Sequence, residues 1–342
     1  MYTVDYVAVR QLLFRYRHLL DEADLAGLVA LFSPDACVTP EYEGQASYTG
    51  RSAIGEWYER YLAASLRGSS HRRHAMASPA IDVHDGAGEC FAHLQASGLQ
   101  HGDSRLWIYV AWYRDELVRT HDRWFLRSRR IGINYSYPAN AVEICRKDDM
   151  NSCNQRTCGG AFPSTIKASC GLEPGGYPVP TPEVAMDIVA IEQILNRYCY
   201  LHDFGTCEEI ASLFAPDAVV YADYLGDRTF EGRQAICDWY AQSLETYKAN
   251  GHFERRRISC PVINVRDDSA ESIAFVDFDA LNFESNIVNK HVGRYEHTFE
   301  KAAGRWFIKT LRIQLQYSHP CNSHRLARNG MLEMQAIGRL SK

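Results

Sequence analysis

The sequence has no uninterrupted run of about 18 apolar residues, the length that a membrane-spanning helix requires. It also lacks an excess of basic charge. Its 37 Lys and Arg against 42 Asp and Glu give a net charge of −5, which disfavours a nucleic-acid partner. The N-terminal stretch MYTVDYVAVRQLLFRYRHLLDEAD has charges throughout, which is wrong for the apolar core of a signal peptide. We therefore expect a soluble, cytoplasmic protein whose partners include neither a membrane nor a nucleic acid.

Sequence motifs for metals, cofactors and activated nucleophiles are missing as well. There is no HExxH and no CxxC pair, so the sequence predicts no metal site. The glycines do not form GxGxxG or GxxxxGK[ST], the signatures of dinucleotide and phosphate binding. A GxSxG nucleophile elbow is also missing. Any chemistry should therefore be acid–base chemistry in an apolar pocket, without a cofactor.

Cysteines are unusually frequent, with 11 in 342 residues, and several are clustered. Cys145, Cys153, Cys158 and Cys170 fall in one segment, at spacings that do not match a zinc ribbon. Free or buried thiols are the expectation for a protein in a reducing compartment. A segment pinned by disulfides is the alternative that a thiol titration would test.

The chain repeats itself at an offset of 182 residues. Between 5–58 and 187–240, 23 of 54 aligned positions are identical without a gap. LFSPDACV is repeated as LFAPDAVV, and GRSAIGEWY as GRQAICDWY. Two arginines recur in both copies, as Arg51 and Arg233 and as Arg130 and Arg312, which favours structural ion pairs over substrate contacts. A period this long indicates a duplicated domain rather than a solenoid.

Each copy has the same predicted order: an amphipathic helix, a short helix, a strand, a third helix after the Gly-Arg turn, and then long strands. Helices followed by long strands predict an α+β domain with helices on one face of a curved sheet. We predict domains at 1–138 and 183–320. Between them, 139–182 is a linker rich in Cys, Gly and Pro, and 321–342 is a C-terminal tail.

These motifs resemble the SnoaL-like branch of the nuclear transport factor 2-like superfamily. The resemblance rests on the helix ending in Asp, LFxPDA, GRxAIxxWY, the His-led strand and YRDELVRTHDRW, and it covers both copies. It implies two tandem cone-shaped α+β barrels, each with a curved mixed sheet and about three helices around a pocket. The first copy is most similar to scytalone dehydratase and hexachlorocyclohexane dehydrochlorinase. That similarity implies a catalytic Asp21 and His74.

The residues themselves allow this chemistry. A histidine can take a proton near neutral pH, and a buried carboxylate fixes its tautomer and stabilises the imidazolium. Asp21 follows Leu19 and Leu20 on the first helix, where a carboxylate needs a partner. The alternative is structural: Asp21 caps the second helix and His74 lies at the surface. We favour the catalytic pair on the strength of the resemblance.

Other polar residues are weaker candidates for substrate binding. Tyr16 and its repeat Tyr198 lie near the Asp of each copy. His93 or His101 could supply a second histidine, as in scytalone dehydratase. We expect His18 to face solvent.

The second copy differs at the decisive position, because Arg256 replaces the histidine beside Asp203. Arginine is not a base near neutral pH, so it can only pair with Asp203 or hold an anion. The second copy could therefore be a silent support that forms an intramolecular pseudo-dimer with the first. Alternatively, it could use His202, His252 or His291, or carry out another reaction.

Taken together, the sequence predicts a cofactor-independent dehydratase, isomerase or cyclase acting on a small, apolar, oxygenated metabolite of secondary metabolism. Two alternatives stay open. One is a polyketide or terpenoid cyclase that works through pocket shape and hydrogen bonding without an obligatory base. The other is a non-catalytic ligand-binding or scaffold protein. Further homo-oligomers are left open.

Overall fold

The computed structural model describes residues 2–101, 105–140, 142–143, 166–170, 172, 175–225, 228–249, 252–282 and 287–322. Two halves follow each other along these residues, and each combines three helices with one mixed β-sheet. The predicted tandem α+β architecture is thereby confirmed. Every helix in these ranges is too short or too polar to span a bilayer. Most of the predicted linker, 139–182, and of the predicted tail, 321–342, lies outside the described residues.

The first half begins with helices and ends in long strands. Its elements are α1 (Tyr2–Glu22), α2 (Leu25–Ala30), β1 (Phe32–Pro40), β2 (Tyr48–Thr49), α3 (Arg51–Gly68), β3 (Ser69–His84), β4 (Ala87–Gln100), β5 (Arg105–Thr120) and β6 (Arg123–Asn140). The strand order is β2-β1-β6-β5-β4-β3. Strand β1 runs parallel to β6, and the other neighbours are antiparallel.

The second half repeats this order, after two short strands that cross between the halves. Its elements are β7 (Val142–Glu143), β8 (Tyr177–Pro178), α4 (Pro182–Phe204), α5 (Cys207–Ala211), β9 (Phe214–Ala222), β10 (Arg228–Glu231), α6 (Arg233–Ala249), β11 (His252–Arg266), β12 (Ser269–Asn282), β13 (Ile287–Ala302) and β14 (Arg305–Asn322). Strand β7 pairs with β14 of the second sheet, whereas β8 pairs with β6 of the first. The two halves are therefore tied together through backbone pairing.

The repeated Gly-Arg turn has a local structural reason in both halves. Gly50 and Gly232 begin the third helices at φ 83° and 82°, a left-handed conformation that glycine adopts without strain. Arg51 Nε donates to the carbonyl oxygen of Phe32 at 2.8 Å, and Arg233 makes the equivalent bond in the second half. The prediction of ion pairs is wrong at Arg51 and Arg233, because a backbone carbonyl takes the place of the carboxylate.

The same prediction is confirmed at the other repeated arginines. Arg130 pairs with Glu41, and Arg312 pairs with Asp223.

The hydrophobic cores of the two halves extend into each other. Four side chains of the second sheet belong to the core of the first half, namely Cys260, Val262, Ile273 and Phe275. In return, Val7 of α1 belongs to the core of the second half. A third cluster joins Leu99, Leu106 and Ile108 to Val292 and Tyr317. The face that each half turns to the other thus contains a buried apolar core.

Strand β3 contains a β-bulge that its copy lacks. Ser70 pairs with Leu99 and Arg73 with Ser97, so β3 holds one residue more than β4 between these pairs. His71 lies in the bulge with φ 50°. The equivalent stretch of β11 pairs with β12 without interruption. Bulges bend a strand and re-aim its side chains, and this one lies at the start of the sequence HRRH, residues 71–74.

Candidate active site

A cavity of about 470 Å³ opens in the first half between α1, α3 and strands β3 to β6. This volume is typical of small-molecule sites. Eight of its 23 lining residues are aromatic: Tyr16, Tyr42, Trp57, Tyr58, Tyr61, Trp107, Tyr109 and Tyr113. The polar lining includes Arg72, His74 and Ser97. The cavity is therefore an aromatic-walled chamber with a few polar groups.

Asp21 and His74 are in contact at the wall of this cavity. The Asp21 carboxylate accepts a hydrogen bond from the His74 backbone N–H at 2.8 Å and contacts Nδ1 of the same histidine ring. Both residues are buried, so His74 is not the surface histidine of the structural alternative. An ionised carboxylate can only accept hydrogen bonds, so the ring hydrogen belongs on Nδ1. Nε2, the other ring nitrogen, lies 3.4 Å from the Tyr61 hydroxyl.

The sequence did not point to two polar residues beside this pair, Tyr61 and Arg72. Burial raises the pKa of Tyr61 above its usual range, so the phenol remains a neutral donor. Arg72 Nη2 donates to the backbone oxygen of Asp21 at 3.0 Å. Its Nη1 is buried and has no hydrogen-bond partner among the described residues. The available signal was strand periodicity, since Arg72 lies two positions before His74 and shares its face.

Tyr16 and Tyr198 occupy equivalent places in the two halves. Tyr16 lines the cavity, and its hydroxyl lies 2.6 Å from that of Tyr58. Tyr198 makes the same contact with Tyr240 at 2.7 Å. All four rings are almost fully buried. The hydroxyl pairs are therefore a structural feature of the repeated fold as well as part of the cavity wall in the first half.

His93 and His101 lie away from the cavity, which contradicts their predicted place in it. His93 is exposed on the outer face of β4, with its ring 5.0 Å from that of Phe91. His101 is exposed beyond the end of β4, with Nε2 3.2 Å from the carbonyl oxygen of Leu66. Side chains alternate between the faces of a strand. In β4 this alternation turns Leu94 inward and His93 outward.

His18 is buried at the contact between the halves, so the prediction that it faces solvent is wrong. Its ring stacks on Phe275 with centroids 4.2 Å apart, and its Nε2 lies 2.9 Å from the carbonyl oxygen of Cys260. Burial lowers the pKa of His18 to about 4, so the ring is neutral at pH 7. The second half covers the face of α1 that the sequence pattern left open.

Two further contacts from the second half reach residues next to the Asp21–His74 pair. Arg73 Nη2 donates to Asp277 Oδ1 at 2.6 Å, and both side chains are largely buried. The Ser97 hydroxyl, which lines the cavity, lies 2.8 Å from the Tyr317 hydroxyl. The strands that carry the cavity wall are thus anchored by side chains of the other copy.

In the second half, Asp203 and Arg256 keep the backbone part of this arrangement. Asp203 accepts from the Arg256 backbone N–H at 3.0 Å, as Asp21 does from His74. The Arg256 side chain instead donates to Glu254 at 2.9 Å. The pair predicted between the Arg256 guanidinium and Asp203 is therefore replaced by one with Glu254.

In the second half, different side chains stand at positions that line the cavity in the first half. Glu254 stands at the position of Arg72, and Phe278 at the position of the small Ala96. The Arg256 guanidinium lies over the Phe278 ring, 4.5 Å from its centroid. A large ring and an internal ion pair thus occupy these positions.

Two of the histidines suggested for the second half lie near Arg256, His202 buried and His291 half-buried. Burial, followed by the charge of Arg256, lowers the pKa of His202 well below its usual value and that of His291 to about 4. The His291 ring stacks on Phe278 at 4.5 Å. The side chain of His252 lies outside the described residues. Both described rings are therefore neutral at pH 7.

The seven cysteines whose side chains are described, Cys170 among them, are free thiols. Cys145, Cys153 and Cys158 lie outside the described residues. The fold also places ligand atoms of Cys207, Glu208 and Cys237 within 4.8 Å of one another. Cys237 is about 30 residues from the neighbouring Cys207 and Glu208, so no spacing rule predicted the group. It lies on α5 and α6, away from the cavity.

Comparison with known proteins identifies the repeated unit. A family model described as SnoaL-like domain matches residues 2–130 and again 183–312. A type 2 hexachlorocyclohexane dehydrochlorinase (LinA) is 19% identical, with a TM-score of 0.38 over 44% of this chain and 98% of that chain. A candidate scytalone dehydratase from Novosphingobium aromaticivorans is 24% identical, with a TM-score of 0.36 over 43% of this chain and 95% of that chain. A protein of unknown function with a cystatin-like fold from Nostoc punctiforme is 20% identical, with a TM-score of 0.33 over 38% of this chain and 92% of that chain.

No curated protein matches the chain. The family assignment rests on the two domain matches, which together span most of the residues and repeat at nearly the same offset as the sequence. The predicted resemblance is confirmed: this protein belongs to the SnoaL-like domain family and carries the domain twice.

Proposed function

We propose that the first half is a cofactor-independent acid–base enzyme of the dehydratase, isomerase or cyclase type, acting on a small, largely apolar, oxygenated molecule. The observation that carries the proposal is the Asp21–His74 contact at the wall of an aromatic cavity. Asp21 holds the hydrogen on Nδ1, so Nε2 is the atom available to take a proton. The same carboxylate stabilises the imidazolium that forms, as in other carboxylate–histidine pairs.

The second half acts in this proposal as a silent support, an intramolecular pseudo-dimer partner. Its own interior lacks the histidine and is occupied by Arg256 and Phe278. Meanwhile Asp277, Phe275 and Tyr317 contact residues that flank the catalytic pair or line the cavity. Support for the assignment is thus the replacement of the histidine by Arg256, together with these contacts.

Deuterium exchange tests the proton-transfer step without knowledge of the natural substrate. We would incubate the protein in D₂O with 2-tetralone, an aryl ketone with an acidic α C–H bond, and follow deuterium uptake by mass spectrometry. Wild-type protein should accelerate uptake, and His74→Ala or Asp21→Asn should lower the rate by about 10²-fold, as expected for loss of a general base. The exposed His93→Ala variant is the control and should exchange like wild type.

The alternative functions give different outcomes. Wild-type rates in both His74→Ala and Asp21→Asn would refute the general-base role. A cyclase that works through shape alone, or a binding protein, would bind 2-tetralone and be thermally stabilised by it without any exchange.

A further inference from the structure

Arg72 is a buried cation that faces a cavity without a carboxylate partner. Arg72 is 7% exposed and lines the cavity beside His74. Among the described residues its one hydrogen bond goes to the backbone oxygen of Asp21, and no carboxylate lies within salt-bridge distance. A buried charge is costly unless an opposite charge or several hydrogen bonds compensate it. The guanidinium therefore has unused capacity to bind an anion.

Two other buried arginines of the first half are compensated by carboxylates, and a third lies against an aromatic ring. Arg73 is paired with Asp277, and Arg129 makes two bonds to Asp115. Arg17 lies over the Tyr113 ring at 3.9 Å, so an aromatic face compensates part of its charge. Arg72 differs from these residues because an open cavity lies in front of it.

The duplicated half supplies an internal comparison. There, the positions of Arg72 and His74 hold Glu254 and Arg256, which bind each other at 2.9 Å. The interior cation of that half thus receives its counter-charge from the protein. In the first half no such ion pair forms at Arg72 among the described residues, and Nη1 is left without a partner there, so an anion that enters the cavity can supply the counter-charge.

The proposed acid–base step creates such a charge. When the C–H bond beside a carbonyl breaks, the proton forms an N–H bond at His74 Nε2 and the electron pair moves onto the carbonyl oxygen. The imidazolium is balanced by Asp21, which leaves the new oxyanion to be balanced by Arg72. Arginine suits this task because its planar donors bind oxyanions at two points.

We infer, on the basis of the proposed function, that the cavity binds a flat aromatic or conjugated carbonyl compound. Arg72 binds the carbonyl oxygen of this compound as the compound becomes an enolate. The eight aromatic side chains that line the cavity favour the binding of flat, conjugated rings. Arg72 sets the position of the oxygen, and His74 the position of the proton. Ligands that already carry an anionic oxygen on an aromatic ring imitate the enolate, so they bind more tightly than neutral ones of the same shape.

A pair of matched probes tests this inference. 2-Naphthoate and 2-naphthamide have the same ring system, but only the first is an anion. Binding is measured by calorimetry and by quenching of Trp57 and Trp107, which line the cavity. Wild type should prefer naphthoate by about tenfold or more, the effect of one charge-assisted contact. Arg72→Gln should reduce this preference to within about twofold, and Arg72→Lys should retain part of it.

The control is Arg67→Gln, which removes the same charge from an exposed position on α3 and should leave the preference intact. The inference is overturned if wild type binds both probes equally, if it binds neither, or if Arg72→Gln keeps the full preference. Should Arg72→Gln fail to fold, the wild-type comparison and Arg72→Lys still decide the question. His74→Ala should keep the anion preference while losing deuterium exchange, so this inference and the proposed function fail separately.

Discussion

Replacing Asp277 by Asn should strongly destabilise the contact between the halves. Asp277 Oδ1 accepts from Arg73 at 2.6 Å, and its Oδ2 accepts from Arg257 at 2.8 Å. The side chains of Asp277 and Arg73 are only 12% and 5% exposed. Asparagine keeps the shape but removes the charge, so the buried Arg73 guanidinium loses its counter-charge.

The size of the effect can be worked out in two ways. Breaking a buried ion pair by removing one partner typically costs about 3–5 kcal/mol. Independently, burial alone would raise the pKa of Asp277, but the charges of Arg73 and Arg257 outweigh it and lower the pKa from 3.8 to about 2. That shift corresponds to about 2.5 kcal/mol of stability, present above pH 3.8 and lost as the pH falls through 2. We therefore expect a loss of about 3 kcal/mol at pH 7.

Urea denaturation followed by tryptophan fluorescence and circular dichroism measures this loss. The matched control is Asp279→Asn, which breaks the half-exposed pair with Arg257 and should cost less than about 1 kcal/mol. A double-mutant cycle with Arg73→Met should show that most of the loss is coupling between Arg73 and Asp277. A loss below about 1 kcal/mol for Asp277→Asn would mean that the pair contributes nothing net, and the reasoning would be wrong.

Three further predictions concern the fold. Gly55→Ala in α3 should stabilise the protein by about 0.5–1 kcal/mol, because alanine favours a helix more than glycine does. Gly293→Ala should destabilise it, because the new Cβ would lie 2.1 Å from a backbone oxygen. Thermal unfolding of both variants measures these effects. The pKa of His18 falls from 6.5 to about 4 on folding, so protonation of this ring favours the unfolded state. The free energy of unfolding should therefore be unaffected above pH 6.5 and should fall by up to about 3 kcal/mol as the pH falls towards 4. His18→Phe should flatten that part of the curve of stability against pH. Deleting residues 183–342 should yield an aggregating or non-cooperatively folded first half, and a stable fragment with wild-type exchange rates would refute the supporting role.

The repeated architecture was predictable because its signals are local. The 182-residue offset, the Gly-Arg turns and the helix ending in Asp21 are all written in short stretches of sequence, and they place equivalent elements in both halves. The contact between Asp21 and His74 followed from the family resemblance. Its catalytic role stays a prediction until the exchange experiment is done.

The predictions that failed depend on register and on distant neighbours. His93 was misplaced because a shift of one residue decides which face of a strand a side chain occupies. His101 was misplaced because β4 ends one residue before it. His18 was misplaced because Phe275, far along the chain, covers it. The ion pairs expected at Arg51 and Arg233 became bonds to carbonyl oxygens, a choice that depends on which backbone group is nearby.

Residues 71–74, HRRH, show which properties the sequence determines and which depend on the tertiary structure. From the amino acids alone, His74 against Arg256 already marked the first half as the one equipped to move a proton, because the pKa of imidazole and the permanent charge of guanidinium are intrinsic to the side chains. Only the tertiary structure decided what the neighbouring arginines do. The bulge at His71 is followed by Arg72 at the cavity and Arg73 at Asp277. Strand register and the packing of one half on the other assign those roles, and both arise from contacts between residues far apart in the chain.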